Sequence, residues 1–157
     1  MVAILGLTSG MSIESSGKRM NSIEPCRIVL VDDHAALRQE VKRLLYEVPG
    51  CEVVGEAGTG LELLTFLSSC QRMPHLVILD LSMPGLSGID TLERIKKGYP
   101  EVKVLILTRH EEDMYLRQAL SAGANGYVVK EDAATELIPA VDAIRKGGGY
   151  LSSFFSR

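Results

Sequence analysis

"LVILDLSMPGLSGID", residues 76–90, decides how this chain folds. Leu76 to Leu79 is apolar enough for a fully buried strand, yet the run ends on a carboxylate, Asp80. An unpaired buried carboxylate costs several kcal/mol or takes up a proton, so a chain that sets one at a strand end supplies a partner or a task.

Four further runs of the same short, β-branched kind surround it: "RIVLV" at 27–31, "CEVVGEA" at 51–57, "VKVLILT" at 102–108 and "GYVVK" at 126–130. Each is bounded by turn residues, as buried strands are. Between them apolar residues recur at helical spacing. The first segment uses Leu37, Val41, Leu44, Leu45 and Val48; the next Leu61, Leu64 and Leu67; then Ile89, Leu92 and Ile95. Leu116, Ala119 and Leu120 follow, and Leu137, Val141 and Ile144 close the series. Strands apolar on both faces, alternating with helices, predict a five-stranded, doubly wound α/β domain with a parallel sheet. Sites in such sheets form at the carboxyl ends of the strands. Pro139 interrupts the last helical pattern and predicts a kink, or a helix that starts only near Leu137.

With 157 residues and 46% hydrophobic content the chain buries one good core. No apolar run approaches the ~20 residues of a membrane span, and the opening "MVAILGLTSG" lacks a basic start and a cleavage site. The expected location is the cytoplasm. Cys26, Cys51 and Cys70 are odd in number and widely spaced, so they read as ordinary thiols. A net charge of −3, from 17 basic and 20 acidic residues mixed along the chain, leaves no basic stripe to bind nucleic acid directly. Residues 1–24, rich in Ser, Gly and Met, read as a flexible leader in which Met11 or Met20 would serve equally as a start. The ordered domain is expected from residue 25.

The residues at the strand ends form a chemical composition. Asp32 and Asp33 follow the first strand, Asp80 the third, Thr108 the fourth and Lys130 the fifth. Three carboxylates and one ammonium leave two negative charges uncompensated, which calls for a divalent cation. Hard oxygen ligands select Mg²⁺, with Mn²⁺ as the alternative. An incompletely coordinated metal accepts phosphoryl oxygens, and Asp80 is a competent nucleophile toward phosphorus. Thr108 and Lys130 would donate to the phosphoryl group. Pro84, Gly85 and Gly88 permit a tight turn after the acid and a close backbone approach.

"LVDDH", "LDLSMPGLSG", "LTRH" and "GYVVK", in this order and spacing, resemble the receiver domains of bacterial two-component response regulators. The resemblance covers roughly Arg27 to Gly148, and "VDDHAALRQEVKRLL" with "AIRKGGGYLS" resembles the NarL/FixJ-type subfamily, whose output domains are LuxR-type. It implies a flavodoxin-like fold with strand order 2-1-3-4-5. It implies a non-enzymatic switch in which Asp80 accepts phosphate from a sensor histidine kinase or a small-molecule donor. Asp33 would ligate Mg²⁺ directly and Asp32 through water, with Asp80 and the backbone carbonyl of Ser82 completing the set. Thr108 would move toward the phosphate and Tyr127 would change rotamer, with homodimerisation as a consequence of phosphorylation. Ser82 and His110 resemble positions that tune hydrolysis, and Arg109 stands where many receivers carry a small residue. In this subfamily a helix-turn-helix domain follows the receiver and contacts DNA. Residues 25–149 would then be the receiver and 150–157 the start of a linker to that domain; a stand-alone receiver acting through protein contacts is the alternative.

Blander readings apply to single residues. Asp32 and Asp33 taken alone read as helix-capping acids. Tyr127 reads most simply as a half-buried strand aromatic. His34, His75 and His110 lack metal-ligand spacing, with His34 expected to point away from the acids. Lys96 and Lys97 read as a solvated helix face. Of the rival functions, a haloacid-dehalogenase-type phosphohydrolase needs a second Asp two residues after the nucleophile, where Ser82 stands. A dinucleotide-binding module needs a Gly-rich turn after the first strand, where "VDDHAAL" stands. A purely structural domain would leave five polar residues at one sheet edge unexplained.

Overall fold

The computed structural model describes residues 24–156. The leader expected over residues 1–24 lies, apart from Glu24, outside the described residues. Strands β1 (Cys26–Val31), β2 (Cys51–Ala57), β3 (Leu76–Leu79), β4 (Lys103–Thr108) and β5 (Gly126–Val129) alternate with helices. These are α1 (Ala35–Tyr46), α2 (Gly60–Ser69), α3 (Gly88–Gly98), α4 (Asp113–Ser121) and α5 (Ala133–Arg145). The strands pair in parallel in the order β2-β1-β3-β4-β5. The expected sheet gains a sixth member: Tyr150–Leu151 (β6) pairs in parallel with β5, so the edge lies one strand further out than the sequence implied.

Alternation of side chains sends the two halves of every strand to two cores. Val29, Val31, Val77, Leu79, Val104 and Ile106 face α2, α3 and α4, packing on Leu63, Leu67, Leu92, Ile95 and Ala119. Ile28, Leu30, Leu76, Ile78, Leu105 and Leu107 face α1 and α5, packing on Val41, Leu45, Leu137, Val141 and Ile144. Each fully buried aliphatic chain of this kind contributes about 1.5–3 kcal/mol. Helix starts are capped where the sequence offers hydroxyls: Thr59 accepts from Glu62 N and Ser87 from Asp90 N.

Three local expectations are corrected. In α2 the buried residues are Leu63 and Leu67, while Leu61 is 59% exposed; a helix with five large apolar residues in seven offers more than one stripe, and packing chooses. The helix α5 begins at Ala133, six residues before Pro139, so its start is not delayed. Pro139 lacks the amide that would bond the Thr135 carbonyl, and both residues are exposed. Lys96 is not simply solvated: its Nζ donates to Val102 O and Asn125 Oδ1, both at 2.8 Å. Lys97 is exposed, as expected.

All three cysteines are free thiols. Cys26 and Cys51 are register partners, but burial pushes the Cys26 thiol up to about 11, which makes it unreactive near neutrality. Among the described residues no helix is long and apolar enough to cross a membrane.

Candidate functional site

Each site residue is placed at the carboxyl end of a parallel strand, with β4 and β5 ending two residues beyond β1 and β3. Val31 closes β1 and Asp32 follows; Leu79 closes β3 and Asp80 follows; β4 ends on Thr108; Val129 closes β5 and Lys130 follows. The ladder extends past the strand ends, with Asp80 N donating to Val31 O at 2.9 Å and Asp32 N to Ala57 O at 3.0 Å. The acids are therefore fixed by backbone, and their side chains converge.

Lys130 Nζ lies 2.8 Å from Asp32 Oδ2 and 3.2 Å from Asp80 Oδ2. Asp80 is 1% exposed. Burial pushes the Asp32 pKa upward, but the hydrogen bond and charge of Lys130, with the His34 amide, outweigh it and hold Asp32 below the usual carboxylate range. Oxygens of Asp32, Asp33 and Asp80 and a nitrogen of His34 lie within 4.8 Å of one another, a donor set able to hold a metal ion. His34 is thus corrected: its Nδ1 lies 3.2 Å from Asp32 Oδ1 and 3.1 Å from Asp33 Oδ1, against the acids rather than away from them.

The loop after Asp80 turns tightly because two glycines let it. Gly85 has φ +78, and a Cβ on Gly88 would stand 2.4 Å from Leu81 Cα and 2.8 Å from Asp80 O. Helix α3 begins at Gly88 and therefore lies directly against the backbone that carries Asp80. Ser82 N donates to Asp80 Oδ1 at 3.1 Å, and Ser82 Oγ lies 2.7 Å from His110 Nε2. The His110 ring stacks on Tyr115 with centroids 3.9 Å apart. Sequence alone placed Ser82 and His110 near the site, but the contact between them, 28 positions apart, had no signal in either motif.

Thr108 is fully buried and its Oγ1 accepts from His110 N at 3.4 Å. Tyr127 is fully buried too, beyond the half-burial expected, and donates from its hydroxyl to His110 O at 2.9 Å. Arg109 is exposed and lines an open groove with His34, Leu37 and Lys130 beside the acids. His75 stands apart, at the start of β3, where its Nδ1 accepts from Arg27 N at 2.9 Å.

Parallel strands, an acid after the third and a lysine after the fifth set an acidic cluster with one ammonium at the carboxyl edge of a doubly wound α/β sheet. Residues 28–142 match the family described as the response regulator receiver domain, and the chain belongs to that family. Transcriptional regulatory protein DegU of Brevibacillus brevis is 35% identical over 125 residues, covering 80% of this chain and 52% of DegU. Response regulator GacA of Pseudomonas protegens is 34% identical over 126 residues, covering 80% of this chain and 58% of GacA. The chain thus spans a little over half the length of these curated relatives. Among solved structures, the isolated REC domain of RcsB from Salmonella enterica serovar Typhimurium, in the presence of phosphomimetic BeF3-, superposes with a TM-score of 0.79 at 28% identity. That match covers 85% of this chain and 98% of the RcsB domain. A two-component response regulator of the LuxR family from Aurantimonas sp. SI85-9A1 gives a TM-score of 0.75 at 35% identity, covering 81% of this chain and 89% of that one. The LuxR-family label agrees with the narrower NarL/FixJ-type resemblance.

Proposed function

We propose that this receiver is switched by phosphorylation of Asp80, with a phosphohistidine on a sensor histidine kinase as donor. The observation that carries this is Lys130 Nζ held between Asp32 and Asp80 at the mouth of an acidic cluster. A structural ion pair would need one carboxylate; three leave charge for a ligand to neutralise.

In the reaction an Asp80 carboxylate oxygen attacks phosphorus, an O–P bond forms, and the bond from phosphorus to the donor imidazole nitrogen breaks with its electrons returning to the ring. The product is an acyl phosphate. Lys130 exchanges its contact with Asp80 for a phosphoryl oxygen, as a point charge whose ammonium keeps its contact with Asp32. Thr108, at the end of β4, supplies a hydroxyl to a second oxygen. The Ser82 amide, already on Asp80 Oδ1, orients the carboxylate. Three carboxylates, Asp32, Asp33 and Asp80, make the donor set hard and oxygen-rich, which suits Mg²⁺, or Mn²⁺; the Ser82 carbonyl would complete the ligands. When bound, that ion supplies neutralisation of the charge developing on the transferred group.

Residues 25–149 act as the receiver, in the cytoplasm, and phosphorylation alters the face around Tyr127 and favours a homodimer. The relatives named as transcriptional regulators, which this chain spans by a little over half, support an output through DNA bound by a helix-turn-helix domain that would follow the receiver. The test is acetyl phosphate with and without Mg²⁺, read by intact mass on wild type and Asp80→Asn. A Mg²⁺-dependent phosphoryl adduct lost in Asp80→Asn is expected; an adduct that survives the substitution, or none at all, overturns the assignment.

A further inference from the structure

The chain after α5 does not leave the domain. Tyr150–Leu151 pairs with β5, and Ser152, fully buried, donates its amide to Tyr127 O at 2.8 Å. A short helical turn at Ser153–Ser156 follows. Two anchors hold it. Glu136 on α5, itself buried, accepts from Ser153 N at 3.2 Å and from Ser153 Oγ. Phe155 sets its ring edge-on against Tyr127, with centroids 5.5 Å apart at 76°.

The same Tyr127 ring is held at its other end by the bond from its hydroxyl to His110 O. His110 sits in the loop that follows Thr108 and touches Ser82, whose amide is on Asp80. One side chain therefore bridges the site loop and the segment after α5. Moving the ring breaks a contact at both ends. We propose that residues 150–156 form a strap whose docking on Tyr127 is coupled to the 108–110 loop, so that phosphorylation of Asp80, by drawing that loop inward, tightens the strap. The second half of this statement rests on the Asp80 assignment above; the first half does not. The device is two-state: docked, Phe155 caps the ring and β6 extends the sheet; undocked, β6 is lost from the sheet edge and residues 150–156 are released. Coupling is reciprocal, so a docked strap also favours the phosphorylated site.

The experiment is hydrogen–deuterium exchange on the full chain. Without any phosphate mimic, Phe155→Ala and Glu136→Gln are each expected to speed exchange in the 108–112 loop, by roughly two- to tenfold for loss of one aromatic edge contact. Unchanged loop exchange in both variants overturns the strap, whatever Asp80 does. With beryllofluoride and Mg²⁺, exchange of the 151–156 amides is expected to slow by a similar factor in wild type and to stay unchanged in Asp80→Asn. Beryllofluoride that binds, as read by NMR shifts at Asp80, and leaves the 151–156 amides unaltered overturns the coupling while the Asp80 assignment stands. Beryllofluoride that does not bind overturns that assignment and the phosphate-driven half with it.

Discussion

Ser82 Oγ lies 2.7 Å from His110 Nε2, which joins the loop after Asp80 to the loop after Thr108. On the proposed phosphorylation of Asp80, the pair flanks the bond that hydrolysis breaks, since the Ser82 amide is on Asp80 Oδ1. Ser82→Ala and His110→Ala are each expected to change the dephosphorylation rate of Asp80, by about threefold or more. Because the two touch, the double variant should depart from additivity by about 0.5–3 kcal/mol when rates are converted to free energies. Phosphate release followed at fixed Mg²⁺ checks this; two unchanged single variants would refute it.

Lys130 stabilises the site electrostatically, and removing it sets acid against acid. Lys130→Met is expected to cost about 3 kcal/mol near neutral pH, since two buried carboxylates lose their cation. The pH dependence has a definite sign. Asp32 is depressed in the folded state, so its contribution is fully present above the unfolded value, ~3.9, and disappears as pH falls through the folded value. Chemical denaturation from neutral pH downward should show this acid loss in wild type and a flatter acid limb in Lys130→Met.

Asp80→Asn is expected to stabilise the fold by about 1 kcal/mol while abolishing phosphorylation, because it removes one like charge and leaves Lys130 on Asp32, its nearer partner at 2.8 Å. Thermal melts without divalent cation measure it, and Mg²⁺ should raise the wild-type midpoint more than the variant's. A variant less stable than wild type in metal-free buffer would contradict the reading of the cluster as mutually repelling.

How much of this was legible depended on what each element buries. Four of the five longer strands were readable because each is buried and mostly apolar, while the edge strand β2, with Glu52 and Glu56 exposed, was read from its short Val-rich run; the strand ends located Asp32, Asp80, Thr108 and Lys130. The two-residue β6 is too short to carry a period, and its anchor on Glu136 joins residues 17 apart, so neither showed. The α2 face was ambiguous because Leu61, Leu63, Leu64, Phe66 and Leu67 satisfy competing stripes. His34 was misplaced because its approach to the acids depends on the turn between β1 and α1, which adjacency in sequence does not specify. Lys96 looked like surface because its two acceptors, Val102 O and Asn125 Oδ1, come from outside its helix.

Gly88 tests whether backbone approach, rather than side-chain chemistry alone, builds the site. A methyl there meets Leu81 Cα at 2.4 Å and Asp80 O at 2.8 Å, and backbone atoms cannot yield as the tip of a side chain can. Either α3 shifts outward, opening its packing through Leu92 and Ile95, or the loop carrying Asp80 shifts away from Lys130. Gly88→Ala is accordingly expected to cost about 1–3 kcal/mol in stability and to slow phosphorylation by tenfold or more. Gly85→Ala provides the contrast: no atom stands within 4 Å of its added methyl, and only the strain of φ +78 opposes it, about 1 kcal/mol. Its phosphorylation rate should stay within about threefold of wild type. Equal kinetic effects at both positions would mean that general loosening of the loop, and not the contact between α3 and the Asp80 backbone, positions the acceptor.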